Sequence, residues 1–143
     1  MTLAENPMSD RALMEQRIRA LLKMREDGDL AGLLSLAAPD IVYDIRGNWA
    51  AFPFSEPVRG KEMTAQALSM IAIHYENLDN VLHDIVIDGD RVALRRTATI
   101  RHRGTGKVGP VEISDFVRFR DGLVAELVES ADPVALAWLE SSD

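Results

Sequence analysis

Along Val111, Ile113, Asp115, Val117 and Phe119 a two-residue alternation sets one carboxylate on the same strand face as four apolar side chains. A carboxyl in apolar surroundings is pushed toward its neutral form, which can donate a proton or a hydrogen bond near neutral pH. The alternatives are that the strand turns this face outward, or that Arg95 or Arg118 neutralises the acid. Glu129 ends the stripe Leu123, Ala125, Leu127 on the next strand, where a pocket mouth would lie, although an edge residue in water has the same pattern. His74 closes the apolar stripe of a helix and would carry protons well, its ordinary pKa being about 6.5. Asp44 becomes a general base if a bulge turns it inward, and Tyr43 offers a hydroxyl from the face of Ile41 and Ile45. The acid/base candidates are therefore Asp115, Glu129, Asp44 and His74.

Residues that would hold a substrate come from two places. Trp49, Phe52 and Phe54, in NWAAFPFSEPVRG, suit the rim of an apolar pocket on a loop long enough to act as a lid; a hydrophobic plug or a dimer contact has the same composition. Arg95, Thr97 and Thr99 share one strand face, and Val92, Leu94, Ala98 and Ile100 share much of the other. Only one set points inward. If the apolar set faces outward, a homodimer through the sheet follows.

Several chemistries lack their residues. His74, His83 and His102 fall on three elements with no HxH or HExxH spacing, so no metal is expected. GTGKVG lacks phosphate-loop spacing, and the 143-residue chain has no cysteine for a disulfide or a thiolate nucleophile. No cofactor is expected. A net charge of −7 argues against nucleic acid, and no apolar run approaches a membrane span. The first residues show no cationic start leading into an apolar stretch, so a cytoplasmic location is expected.

The positioning elements follow from periodicity. Residues 1–8 read as a loose tail and 9–143 as one domain. Ser9 or Asp10 caps a first helix to about Asp27, Gly28 ends it, and Asp29 caps a short second helix that Pro39 closes. A strand at 40–47, a helix at about 61–75, strands near 81–87, 91–101, 111–119 and 123–131, and a helix opened by Asp132-Pro133 complete the order. Segregated helices and an antiparallel sheet make an α+β fold, and a twisted sheet with helices on its inner face can enclose a cavity.

DGDLAGLLSLAAPDIVYDIRG, EPVRGKEMTAQAL, DGDRVALRRTATI and SDFVRFRDGLVAELVESAD, in this order, resemble the nuclear transport factor 2-like superfamily, specifically its SnoaL-like and ketosteroid isomerase-like members. The resemblance implies a cystatin-like cone: a curved antiparallel sheet with helices on its concave face around a pocket. It also implies a small hydrophobic ligand and a homodimer. DFVRF, residues 115–119, resembles the isomerase stretch whose acid stays protonated and donates to an enolate oxygen. Leu21 stands near the place of that enzyme's oxyanion tyrosine and Ile45 near that of its base. Compared with limonene epoxide hydrolase, Glu129 stands at one catalytic acid and Arg95 or Arg96 near the arginine, with Thr97 or Ala98 in place of the partner acid. The resemblance implies a cofactor-free isomerase, cyclase, hydratase or hydrolase working through carboxylates, or else a non-catalytic ligand-binding or dimerisation module of the same fold.

Overall fold

Gly28 and Asp29 divide the N-terminal helical stretch. In the computed structural model, which describes residues 7–46 and 56–142, α1 spans Pro7–Asp27 and α2 spans Leu30–Ser35. Gly28 sits at φ 67°, a left-handed conformation that costs glycine little, and the Asp29 carboxylate accepts from the Gly32 amide. Helix α1 starts at Pro7, ahead of the expected Ser9 or Asp10 cap, since proline is tolerated in a first turn whose amides lack partners. Trp49, Phe52 and Phe54 lie outside the described residues.

Strand β1 spans Ala37–Arg46, β2 Val58–Arg59, helix α3 Lys61–His74, and strands β3 to β6 Tyr75–Asp88, Arg91–His102, Val108–Arg120 and Leu123–Ala131, with α4 at Pro133–Glu140. Pro39 lies inside β1 rather than closing a helix; the register shifts between Ala37 and Val42, an irregularity that tolerates a residue without an amide hydrogen. Strand β3 begins at Tyr75, six residues earlier than alternation suggests, because Glu76, Asn77, Asp79 and Asn80 are polar and give that stretch no hydrophobic period. The sheet runs β2-β1-β6-β5-β4-β3, curved and unclosed, antiparallel except where β1 lies parallel to β6. Among the described residues no helix is long and apolar enough to cross a membrane.

Helix α1 packs on β3, α3 on β1 and β2, and α4 against β5 and β4. Burial on β4 decides which face lies under the helices: Val92, Leu94, Ala98 and Ile100 are buried, with Arg95 exposed. The outward apolar set that would have called for a sheet-to-sheet dimer is therefore not found on this strand. The core falls into two apolar clusters. One gathers Ile71, Ile100, Val111, Ile113, Ala131, Leu136 and Leu139; the other gathers Ile18, Val92, Leu94, Val117, Phe119 and Val124.

Candidate active site

Each of three neighbouring strands carries one polar residue where those two clusters meet. Strand alternation sets Arg96 between Leu94 and Ala98 on the inner face of β4, Asp115 between Val117 and Ile113 on β5, and Glu129 between Leu127 and Ala131 on β6. Asp115 is the register partner of Glu129, while Arg96 faces Ile113 and so stands diagonal to Asp115. Arg96, Asp115 and Glu129 expose 0%, 6% and 1% of their surface. Burying such groups costs several kcal/mol per charge unless each is paired and hydrogen-bonded.

Arg96 bridges the acids: Nε donates to Asp115 Oδ2 at 2.8 Å and Nη2 to Glu129 Oε2 at 3.1 Å. Its Nη1 donates to Asn80 Oδ1 on β3. Arg25, in the last turn of α1, forks onto both Glu129 oxygens at 3.0 and 3.3 Å, and Tyr43 of β1 donates to Glu129 Oε1 at 2.8 Å. Each Glu129 oxygen therefore accepts from two donors. Asp115 is held by one oxygen alone; as a carboxylate, its buried Oδ1 has no hydrogen-bond donor among the described residues.

That asymmetry drives the two carboxyls apart. Burial pushes Asp115 up, Arg96 only partly opposes it, and the neighbouring Glu129 charge adds to it, leaving the carboxyl at about 7. Burial acts on Glu129 too, but Arg25 and Arg96 outweigh it and, with a hydrogen bond from neutral Asp115, hold it at about 2. Burial and the Glu129 charge raise the Tyr43 phenol well above its ordinary value, so it remains a donor. Near neutrality the group comprises two guanidiniums, one fixed carboxylate and one acid that readily exchanges its proton.

A stability profile follows. Asp115 binds its proton more tightly folded, about 7, than at the ordinary 3.8, so its stabilising contribution is complete below 3.8 and is lost as pH rises through 7. Glu129, at about 2 against 4.5, contributes above 4.5 and loses that contribution as pH falls through 2. The pair's contribution is expected to peak near pH 4 and to decline toward pH 8. Urea midpoints across that range read the decline, and Asp115→Asn should flatten it; an unchanged slope in the variant would contradict the raised value.

These side chains surround an inner cavity of about 70 Å³, lined by Arg25, Tyr43, Thr64, Arg96, Asp115 and Glu129 and walled by Ile18, Leu22, Leu68, Leu94, Val117 and Leu127. It has room for roughly two waters or the tip of a molecule. A larger pocket of about 360 Å³, lined by Gly28, Leu30, Ser69, Ile73, Tyr75 and Asn77, shares Arg25, Leu33 and Leu68 with it. Those three side chains stand between the two spaces. The larger space is of small-molecule size.

Of the residues singled out by sequence, the fold gathers Asp115, Glu129 and Tyr43. Asp44 points away from Tyr43 and pairs with Arg46 at 2.7 Å, no bulge having turned it inward. His74 ends α3 and lines neither cavity; its carbonyl accepts from the Arg103 amide. Arg95 and Thr97 do not join the inner group: alternation puts them on the outer face, where Arg95 pairs with Asp84 at 3.0 Å and Thr97 donates to Glu112, while their neighbour Arg96 takes the inward position. Arg25, Thr64 and Asn80 were not foreseen. Arg25 continues the helical stripe Ile18, Leu21, Leu22, a signal that could have placed it over the sheet.

The family model of the SnoaL-like domain matches residues 18–127. No curated protein gives a significant match. Solved structures share the fold: a proposed isomerase from Rhodopseudomonas palustris is 20% identical over 89% of this chain and 94% of its own, with a TM-score of 0.76. A proposed SnoaL-like polyketide cyclase from Jannaschia sp. CCS1 is 19% identical over 94% of each chain at a TM-score of 0.72. An LEH-like epoxide hydrolase from M. tuberculosis is 18% identical over 82% of this chain and 80% of its own, at 0.64.

Proposed function

Because the chain belongs to the SnoaL-like domain family, whose model covers residues 18–127, and holds a buried, half-satisfied carboxyl beside a cavity, we propose that it is a cofactor-free enzyme moving a proton on a small hydrophobic carbonyl compound. One observation carries the reading: Asp115 lines the cavity, is anchored through Oδ2 by Arg96, and leaves Oδ1 without a donor among the described residues. A group with a pKa near the working pH is both base and acid, so it can remove a proton at one carbon and return it at another. Asp115, at about 7, meets that condition. Glu129, with both oxygens doubly occupied, is a poor base and serves to hold Arg25, Arg96 and Tyr43 in place. The guanidiniums favour the negative charge that develops on the carbonyl oxygen as the proton leaves, and the apolar walls keep water from competing. The body of the substrate would lie in the 360 Å³ pocket and its reacting end in the inner cavity, the two spaces sharing Arg25, Leu33 and Leu68 as walls. Isomerisation and ring closure both use this proton transfer.

The bridge from Asp115 through Arg96 to Glu129 favours a second reading, epoxide opening, in which Asp115 protonates the ring oxygen and water attacks carbon. It needs Glu129 to release a donor before it can activate that water. A cytoplasmic homodimer belongs to the proposal too, Val86 and Phe116 being exposed on the outer sheet face; a monomer mass by light scattering would remove that part.

The test is hydrogen–deuterium exchange at the α-carbon of 2-tetralone in D2O, followed by proton NMR. Exchange well above buffer and bovine albumin, rising through an inflection near pH 7, is expected. Buffer-level exchange together with hydrolysis of 1-methylcyclohexene oxide would favour epoxide opening; binding of both probes without change would favour a non-catalytic module.

A further inference from the structure

Thr64 lines the same 70 Å³ cavity as Asp115 but comes from a helix rather than the sheet. It lies, buried, in the first turn of α3. Helical threonines usually donate to the carbonyl four residues back. Here the Gly60 carbonyl accepts from the Thr64 amide at 3.0 Å, and the Thr64 hydroxyl has no partner among the described residues. A buried hydroxyl without a partner is destabilising, so valine, with the same shape, would suit this position better if packing were all it did.

We propose that Thr64 Oγ1 is the donor that receives the substrate's oxygen, and that the substrate is a ketone or its enol presenting that oxygen at the end of an apolar body. This rests on the proton-transfer reading and adds its oxygen site. The two groups act from different elements on one small cavity: with a carbonyl oxygen held by the helix at Thr64, the adjacent carbon lies within the space that Asp115 of the sheet also lines, and Asp115 takes its proton. As that C–H bond breaks, its electron pair forms the C=C bond of the enolate and the former carbonyl pair passes to oxygen, where Thr64 donates and Arg25, which lines the same cavity, supplies positive charge. Return of the proton from Asp115 to carbon restores a neutral ketone. No other reactant is consumed. The cavity's roughly two-water volume accommodates the oxygen, its carbon and the adjacent carbon, with the rest of the molecule outside it.

The experiment measures binding of 2-naphthol, a flat enol, and of naphthalene, its counterpart without oxygen, to the wild-type protein, Thr64→Val and Thr64→Ser by fluorescence titration. The wild type is expected to prefer 2-naphthol. Thr64→Val should weaken 2-naphthol by about three- to tenfold, the worth of one hydrogen bond, and leave naphthalene unchanged. Thr64→Ser should retain the preference. Thermal unfolding of Thr64→Val at or above the wild-type temperature would show that the loss is not structural. Equal binding of the two ligands by the wild type, as when Thr64 holds a water that nothing displaces, would overturn the proposal, as would no binding of 2-naphthol at all, or a Thr64→Val variant with unchanged preference. If tetralone exchange is absent while Thr64 still selects 2-naphthol, the oxygen site stands and the catalytic reading falls. If exchange depends on Asp115 while Thr64→Val alters nothing, the oxygen site falls alone.

Discussion

Replacing Arg96 with methionine is expected to cost the fold roughly 3–5 kcal/mol, the usual result of removing one partner from a buried ionic network. Arg96 is fully buried, and its three nitrogens serve Asp115, Glu129 and Asn80. Methionine fills the space but offers no donor, so that among the described residues Asp115 has none left and Glu129 leans on Arg25 and Tyr43. Urea unfolding of Arg96→Met at pH 7 reads the loss. Replacing the whole group is a different matter. With Asp115→Leu, Glu129→Leu, Arg25→Met and Tyr43→Phe added to Arg96→Met, neither an uncompensated charge nor the Tyr43 hydroxyl that Glu129 accepted from remains, and much of the stability should return. Such a variant would be stable and inactive. A polar belt that apolar residues could replace points to chemistry as the reason for keeping it, and a single variant as stable as the wild type would show that the belt carries no such strain.

Asp115→Asn is expected to lower tetralone exchange by about 10²- to 10⁴-fold, the range for losing a positioned acid/base group. Asparagine has the shape of aspartate, its carbonyl can still accept from Arg96 Nε, and its amide can donate to Glu129, so the fold should persist. At neutral pH the variant should be at least as stable as the wild type, since it removes a carboxyl whose ionisation burial opposes. Stability and activity thus move in opposite directions, which a general packing defect would not produce. Full exchange activity in the variant would remove Asp115 from the chemistry.

Much of the scaffold could be read from local signals. The alternation on β4, β5 and β6, the Asp121-Gly122 turn with both residues at positive φ, and the Gly28-Asp29 break act over a few residues, and the chain obeys them. The parallel pairing of β1 with β6 is not local: Tyr43 meets Leu127 across more than 80 residues, and nothing within either segment names its partner. The site divides along the same line. Asp115 showed itself because an acid among Ile113 and Val117 breaks a pattern. Arg96 breaks the equivalent pattern between Leu94 and Ala98, yet the adjacent Arg95 hid it, because a shift of one residue exchanges the two faces of a strand. Arg25 and Thr64 arrive from helices, and only the tertiary packing of α1 and α3 over the sheet brings them to Glu129 and the cavity.

The most direct measurement is the titration of the Asp115 carboxyl carbon by NMR, with Asp115→Asn as the assignment control. A midpoint at about 7, with Glu129 still ionised well below pH 4, is the expected result. A midpoint at or below 3.8 would mean that Arg96 holds Asp115 permanently ionised, and proton transfer by Asp115 near neutral pH would have to be abandoned.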